Sequence, residues 1–413
     1  MELMIIEDSY YKNLLPLTWL RPVYELRCGI LTLREKILKA YDRQTCTLGC
    51  RGYLEDYQRE KAPGFMVNEA GADSMLVVNG RVLWNRDMAT KIPLSGPDRL
   101  YCEDGQLVAA RLSGENLRAV NWKTPAGLES FPDIEREEVE AALIRWPWDL
   151  VHHNAQQIDE DFQALALRGT SRGHVDEGVH MLGRHNIAIA AGARVYPGVV
   201  LDAEEGPILI DENARVQPNA TIIGPAAVGS YSIVRTGAKI YEGTTIGENC
   251  KVGGEVEESI LHSYTNKQHE GFLGHAYAGQ WVNLGADTNN SDLKNDYGNV
   301  RCTINGKPVD TGSIFAGAFI ADHSKTGINT MLNTGTVIGI GCNLFGAGLP
   351  PKSVPSFCWG GGEGLVEYRL DKFLDVARKV MARRNQQLSA TEETLLRKVF
   401  KLTADERRAA IRG

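Results

Sequence analysis

The sequence predicts an α/β domain, then a parallel β-helix built on six-residue repeats, then a helical C-terminal segment. Three observations carry this. Branched aliphatic residues recur at intervals of six, glycine concentrates in the second half, and the first half alternates short apolar runs with helical patterns.

The repeat is the clearest signal. Stepping by six from Ile210 gives Val216, Ile222, Val228, Val234, Ile240, Ile246 and Val252. The phase runs earlier through Ile189, Val195 and Leu201, and later through Ile314, Ile320, Leu332, Ile338 and Leu344, with Thr326 between. A period of six is neither helical nor simple alternation. It fits short flat strands joined by tight corners, with one branched residue per hexad turned inward. Gly, Asn, Asp and Pro between them supply the turns, as in Pro197-Gly198, Glu242-Gly243 and Gly247-Glu248-Asn249. The phase fails between about 253 and 313, a stretch too long for a turn. An interruption of a solenoid is a natural place for a binding face.

The flanks are read more coarsely. Leu3 to Ile6, Met75 to Val78 and Leu107 to Leu112 read as strands, Leu31 to Ala40 as a helix, and Asp133 to Ala142 as another. The stretch from Trp146 reads as the last packed element before a polar link, so the domains are placed at 1–165, a linker at 166–185, the β-helix at 186–358 and helices at 359–413. Leu365, Leu370, Phe373, Leu374, Val376, Val380 and Met381 mark an apolar helical side, and Ser389 a cap for a further helix. Arg378, Lys379, Arg383 and Arg384 read as a solvated helix face or, more sharply, as a contact for cofactor phosphates.

Totals exclude several classes. Among 413 residues, 43% are hydrophobic and the formal net charge is −7, which argues against nucleic-acid binding. No run of about twenty apolar residues predicts a membrane span, and the N-terminus does not read as a signal peptide. Eight scattered cysteines without a CxxC pair predict neither a disulfide framework nor a structural zinc site, and fit a reducing cytoplasm.

Hexads of this form resemble the left-handed parallel β-helix (hexapeptide-repeat) acyltransferases. The opening resembles sugar-1-phosphate nucleotidylyltransferases: Pro16-Leu17-Thr18 and Arg21-Pro22 match that family in order and spacing. This implies a nucleotidylyltransferase-like, Rossmann-like front domain. Departures stand beside the match. The family's Gly-rich loop reads Glu7-Asp8-Ser9-Tyr10-Tyr11, its lysine is Val23, and its metal-binding carboxylate falls at Asn79-Gly80-Arg81, where arginine suits phosphate rather than magnesium. The opening also resembles a divergent branch of the bifunctional N-acetylglucosamine-1-phosphate uridylyltransferase/glucosamine-1-phosphate N-acetyltransferases.

The stretch 269–288 resembles the acetyltransferase half of that family, through His269, Leu273-Gly274 and Asn283-Leu284-Gly285-Ala286-Asp287-Thr288. Arg235, in Val234-Arg235-Thr236-Gly237-Ala238, matches an arginine that holds sugar phosphate there. The segment from Gly317 to Thr330 resembles archaeal bifunctional sugar nucleotidylyltransferases. Phe272 and His275 depart from a tyrosine and an acid. The resemblance implies His269 as base, Asn283 as positioning residue and Arg235 as phosphate ligand, with Lys267, Lys325, Arg21 and Arg81 as further substrate-binding candidates. It implies acetyl-CoA along the coils, a homotrimer, and, at an active front domain, magnesium and a nucleoside triphosphate yielding a UDP- or dTDP-sugar. Histidine suits the chemistry independently, because a largely charged sugar ammonium must lose a proton before it attacks a thioester. Two other classes stay open. One is a non-catalytic sugar-nucleotide-binding or assembly subunit. The other is a zinc enzyme of carbonic-anhydrase type using His262, His269 and His275.

Overall fold

The structure, a computed structural model, describes residues 2–131 and 133–412. Its contacts divide the chain into two compact units. The first comprises Met1–Leu26, Leu31–Trp146 and Ser389–Lys398, and the second Arg27–Ile30, Pro147–Leu388 and Val399–Gly413.

The first unit is built on a seven-stranded sheet. Its strands are β1 (Glu2–Ile6), β2 (Thr47–Leu48), β3 (Met66–Val67), β4 (Ser74–Asn79), β5 (Arg99–Glu103), β6 (Gln106–Ser113) and β7 (Arg136–Glu138), in the order β3-β2-β1-β4-β6-β5-β7. The first four are parallel, and β6 runs antiparallel to β4. Leu3 to Ile6 and Met75 to Val78 are buried throughout, as central parallel strands require. The expected helix at Leu31 begins at Leu33, where Thr32 and Glu35 form a capping box. The helix expected over Asp133 to Ala142 is not formed. Arg136–Glu138 lies instead along β5, because Arg99 binds Glu137 at 2.6 Å and Glu135 at 3.2 Å.

The second unit is the left-handed β-helix. Three ladders of short parallel strands form its faces. In a regular coil the first face takes Ile208–Ile210, the second Arg215–Val216 and the third Thr221–Ile223. Register repeats after eighteen residues, as in Ile210↔Val228↔Ile246. The inward hexad residues form one continuous core, from Ile189 to Val354. Each such Val or Ile contributes about 1.5–3 kcal/mol by leaving water. Corners between the first and second faces use a left-handed residue in each coil, including Asn213, Tyr231, Asn249, Tyr264, Trp281 and His323.

Two expectations are corrected here. The stretch 253–313 is not one interruption, since the coils continue to Asn290. Ile246 pairs with Leu261 fifteen residues on, and Leu261 with Ala278 after seventeen. Shortened corners break the sequence phase while the ladders stay in register. The insertion proper lies between Asn290 and Ala318 and holds an antiparallel hairpin, Arg301–Ile304 with Lys307–Asp310. Ile314 belongs to that insertion and is 36% exposed, so it is no hexad position.

By contacts, the second unit takes up the chain again at Pro147. Pro147–His152 and Asn154–Ala164 are helices of the second unit, where Phe162 packs on Ala188, Leu209 and Ala227. The expected linker contains the first coil: His174–Val175 and His180–Leu182 pair with Arg194–Val195 and Val200–Asp202. At the far end the helix Leu370–Ala382 turns Phe373, Leu374, Ala377 and Met381 inward, whereas Leu365 of the expected apolar side lies on the strand Gly364–Glu367, and Leu370, Val376 and Val380 are only partly buried. Ser389 caps the next helix, accepting from Glu392 N at 3.0 Å.

Candidate functional site

The β-helix candidates gather on the second face. There Val252, Lys267, Leu284 and Thr326 occupy successive inward positions of one ladder. Lys267 therefore points into the solenoid, not toward a ligand. Its ammonium donates to the carbonyls of Gly253, 2.9 Å, and His269, 3.0 Å. Burial pushes its amine down to about 8. Its expected role as a phosphate ligand is thus corrected, because inward alternation in the strand decides where the side chain goes.

His269 sits two residues later on the exposed corner between Asn266–Lys267 and Phe272–Gly274. The next coil packs directly against this corner, with Asp287 N donating to Glu270 O at 2.9 Å. Asn283 lies on that next coil but stacks on Asn266, whose amide donates to Asn283 Oδ1 at 3.2 Å. His269 and Asn283 are thus on consecutive coils and out of register. Asn266 in turn accepts from Arg384 at 2.5 Å, and Arg384 also donates to Asn249 O at 3.1 Å.

Arg235 follows inward Val234 on the same face, and a Cβ at Gly253 on the next coil would lie 3.0 Å from its own Cβ. Glycine there keeps the arginine stem in place. Lys251 stands between them electrostatically: burial, then Arg384, Arg235 and Arg383, push its amine below the usual range. Arg235 and Lys251 stand on neighbouring strands of this face, and Arg384 reaches it from the end of the helix Leu370–Ala382 through Asn249 O and Asn266, a positive field suited to phosphate. Lys251 and Asn266 were not singled out from sequence. For Lys251 the signal was available, since it immediately precedes the hexad position Val252; for Asn266 it was not, because Lys267 breaks the aliphatic pattern. Lys325 lies on the same face one coil after Asn283, donates to His323 O at 2.9 Å, and is held down to about 8 by burial.

The three histidines do not converge within the chain. His262 is buried with its ring edge-on to Tyr277, His269 is on its exposed corner, and His275 pairs with Asp292 at 2.8 Å. Around His275, Glu257 is raised by burial and by Asp292, and Glu258 by burial. Buried Cys250, Cys302 and Cys342 are pushed up to about 12 by desolvation, so these thiols are not nucleophiles.

In the front unit, the residues where a glycine loop was sought are clamped. Arg81 is fully buried and donates to Asp8 at 2.8 and 2.5 Å, to Gln106 at 2.9 Å and to Ile144 O at 2.8 Å. It has no free edge for phosphate, which corrects its expected role. Glu7 is held the same way by Arg51, at 3.0 and 3.1 Å. Arg21 is only 5% exposed and directs one nitrogen at Leu17 O, 3.4 Å away, so it too is turned inward. A cleft lined by Glu2, Leu3, Thr47 and Met66 opens at the N-terminal ends of β1, β2 and β3. Ligands of such sheets bind at the opposite ends.

The fold and these residues define a class: a sugar-nucleotidyl-transferase-like α/β unit followed by a hexapeptide β-helix. Residues 3–169 match the family model described as sugar nucleotidyl transferase. A bifunctional sugar-1-phosphate nucleotidylyltransferase/acetyltransferase of Sulfurisphaera tokodaii is 28% identical over 143 residues, 34% of this chain and 36% of that protein. Bifunctional protein GlmU of Thermotoga maritima is 25% identical over 187 residues, 41% of this chain and 39% of that protein. The chain thus covers well under half the length of these relatives. A crystal structure of UDP-N-acetylglucosamine acyltransferase aligns with 59% of this chain and 93% of its own at 14% identity and a TM-score of 0.26. The chain is thus similar, over its front unit, to sugar nucleotidyl transferases and, over part of its length, to bifunctional GlmU-type proteins.

Proposed function

We propose that the β-helix transfers the acetyl group of acetyl-CoA to the amine of an amino-sugar phosphate resembling glucosamine-1-phosphate, in a homotrimer with sites between subunits. The observation that carries this reading is the positive face where Arg235 and Lys251 stand on neighbouring strands and Arg384 reaches Asn266, beside the Asn266–Asn283 pair and the His269 corner. His269 takes the proton from the sugar ammonium. The freed nitrogen attacks the thioester carbon, the C–S bond breaks, and the proton that the nitrogen then sheds passes to the departing sulfur, which leaves as the thiol of coenzyme A. Backbone N–H groups of the glycine-rich corners face the developing oxyanion. Arg235 and Lys251 hold phosphate, and Asn283 positions the sugar. Eight free thiols, seven of them buried, suit a reducing cytoplasm. No helix among the described residues is long and apolar enough to cross a membrane.

Glu7 and Asp8 are each committed to a buried arginine, an arrangement that does not fit magnesium and a nucleoside triphosphate at that loop. The front unit reads better as a sugar-nucleotide-type scaffold. The test is thiol release from acetyl-CoA with glucosamine-1-phosphate, in the parent and in His269→Ala. Release by the parent and a loss of at least about 100-fold in the variant supports the reading. Equal release by both removes His269 as base, and none from either removes this donor–acceptor pair.

A further inference from the structure

A second cluster lies on the other side of the third-face strand Phe272–Gly274, away from His269. Glu257, His275 and Asp292 come from three successive coils, and each offers a ligand atom within 4.8 Å of the others. Glu257 pairs with Gly274 in the ladder, so His275 sits on the corner directly after it, with its backbone left-handed at φ 45°. Its N–H donates to Glu257 O at 3.2 Å. Asp292 opens the insertion, and its Oδ2 is 2.8 Å from His275 Nδ1. That contact is a hydrogen-bonded ion pair, and a cation on bonds of about 2.1 Å would take the place of the proton between the two groups. The insertion returns at the same place: Phe315 stacks on the His275 ring at 4.8 Å, and Ala316 N donates to Asp292 O at 2.9 Å.

We infer that Glu257, His275 and Asp292 bind a divalent first-row transition cation that pins the foot of the 291–317 insertion to two coils of the solenoid. One imidazole and two carboxylates are borderline-to-hard donors, which suit zinc or manganese better than calcium, whose shell is all oxygen. The three residues are half-buried, so water completes the shell. Without a cation, one imidazole faces two carboxylates. With one, the repulsion between them becomes shared attraction. A cross-link at the base of a long loop also removes closure entropy from its open states. The role is architectural, and it stands whether or not the β-helix transfers an acyl group.

The test is calorimetric titration of the chelator-treated full chain with Zn²⁺ and Mn²⁺, beside Glu257→Gln, Asp292→Asn and His275→Asn. Asparagine is chosen because it tolerates the left-handed corner. The expected result is one site per chain, weakened at least about tenfold in each variant, with slower hydrogen exchange over 292–316 on loading. Variants that keep the parent's metal-free unfolding midpoint show that the fold is intact. No binding of either cation overturns the inference. So does binding that all three variants retain, or loading that leaves exchange over 292–316 unchanged.

Discussion

The ammonium of Lys267 reaches from the interior of the solenoid to the carbonyl of His269, 3.0 Å away, so the corner carrying the imidazole is held from inside by a buried charge. The same ammonium holds Gly253 O on the coil before. A lysine in an aliphatic column therefore acts as an internal strut between two corners.

This strut gives a pH signature. Folding lowers the Lys267 amine to about 8, below its ordinary range near 10.5, so the unfolded chain holds the proton more tightly. Stability must then rise as pH climbs from about 8 toward about 10.5, where the folded state has released a proton that the unfolded state keeps. Lys325 contributes in the same window. Urea midpoints across that range are expected to rise less steeply in Lys267→Met than in the parent.

Arg235 and Lys251 are expected to act on binding rather than on the chemical step. Alanine at either position is expected to raise the KM for a phosphorylated substrate by about tenfold or more, as loss of one charge-assisted contact does, with kcat nearly unchanged. The parent's KM should itself rise with salt, and less so in the variants, because these contacts are screened. Steady-state thiol release at low and high ionic strength reads both effects.

In the front unit, Asp8→Ala leaves the fully buried Arg81 guanidinium without its carboxylate. Breaking a buried pair from one side costs about 3–5 kcal/mol. A lower urea midpoint for the front unit is expected. Retention of the parent's midpoint would show that the clamp contributes little.

The left-handed corners make a finer prediction. Asn249 has φ 58°. Asn249→Gly should be nearly neutral, whereas Asn249→Ala should cost about 1 kcal/mol, because a Cβ without a polar tip is disfavoured there. Paired denaturation curves separate the two.

The regular coils were legible because every inward hexad position from Ile210 to Val252 is a branched aliphatic residue. Legibility ended where Lys267 and Asn290 took inward positions and corners shortened, so a continuing solenoid read as a gap. The polar link hid its own coil for a similar reason, since Val175 and Met181 pair with Val195 and Leu201 twenty residues on and so fall out of the hexad phase. Arg81 was misread because its partner Asp8 is remote in sequence. The contact Glu257–His275–Asp292 was equally hidden, because its members are one coil apart on outward corners where no aliphatic pattern marks the register. Asn283 was found from its motif, but its pairing with Asn266 and Arg384 depends on coil register and the C-terminal helix.

The two ends of the solenoid are unequal. At the C-terminal end, Phe357 is enclosed by Phe373 and Phe400, and Arg407 ties Glu367 to the terminal helix. At the other end, the first-coil residues Val175 and Met181 are only partly buried. Since each coil bonds only to its neighbours, loss of structure spreads along the stack from whichever end yields first. The molecule therefore has a direction of failure: it should unzip from residue 174 upward, and the His269 corner, several coils along, would be among the later parts to go.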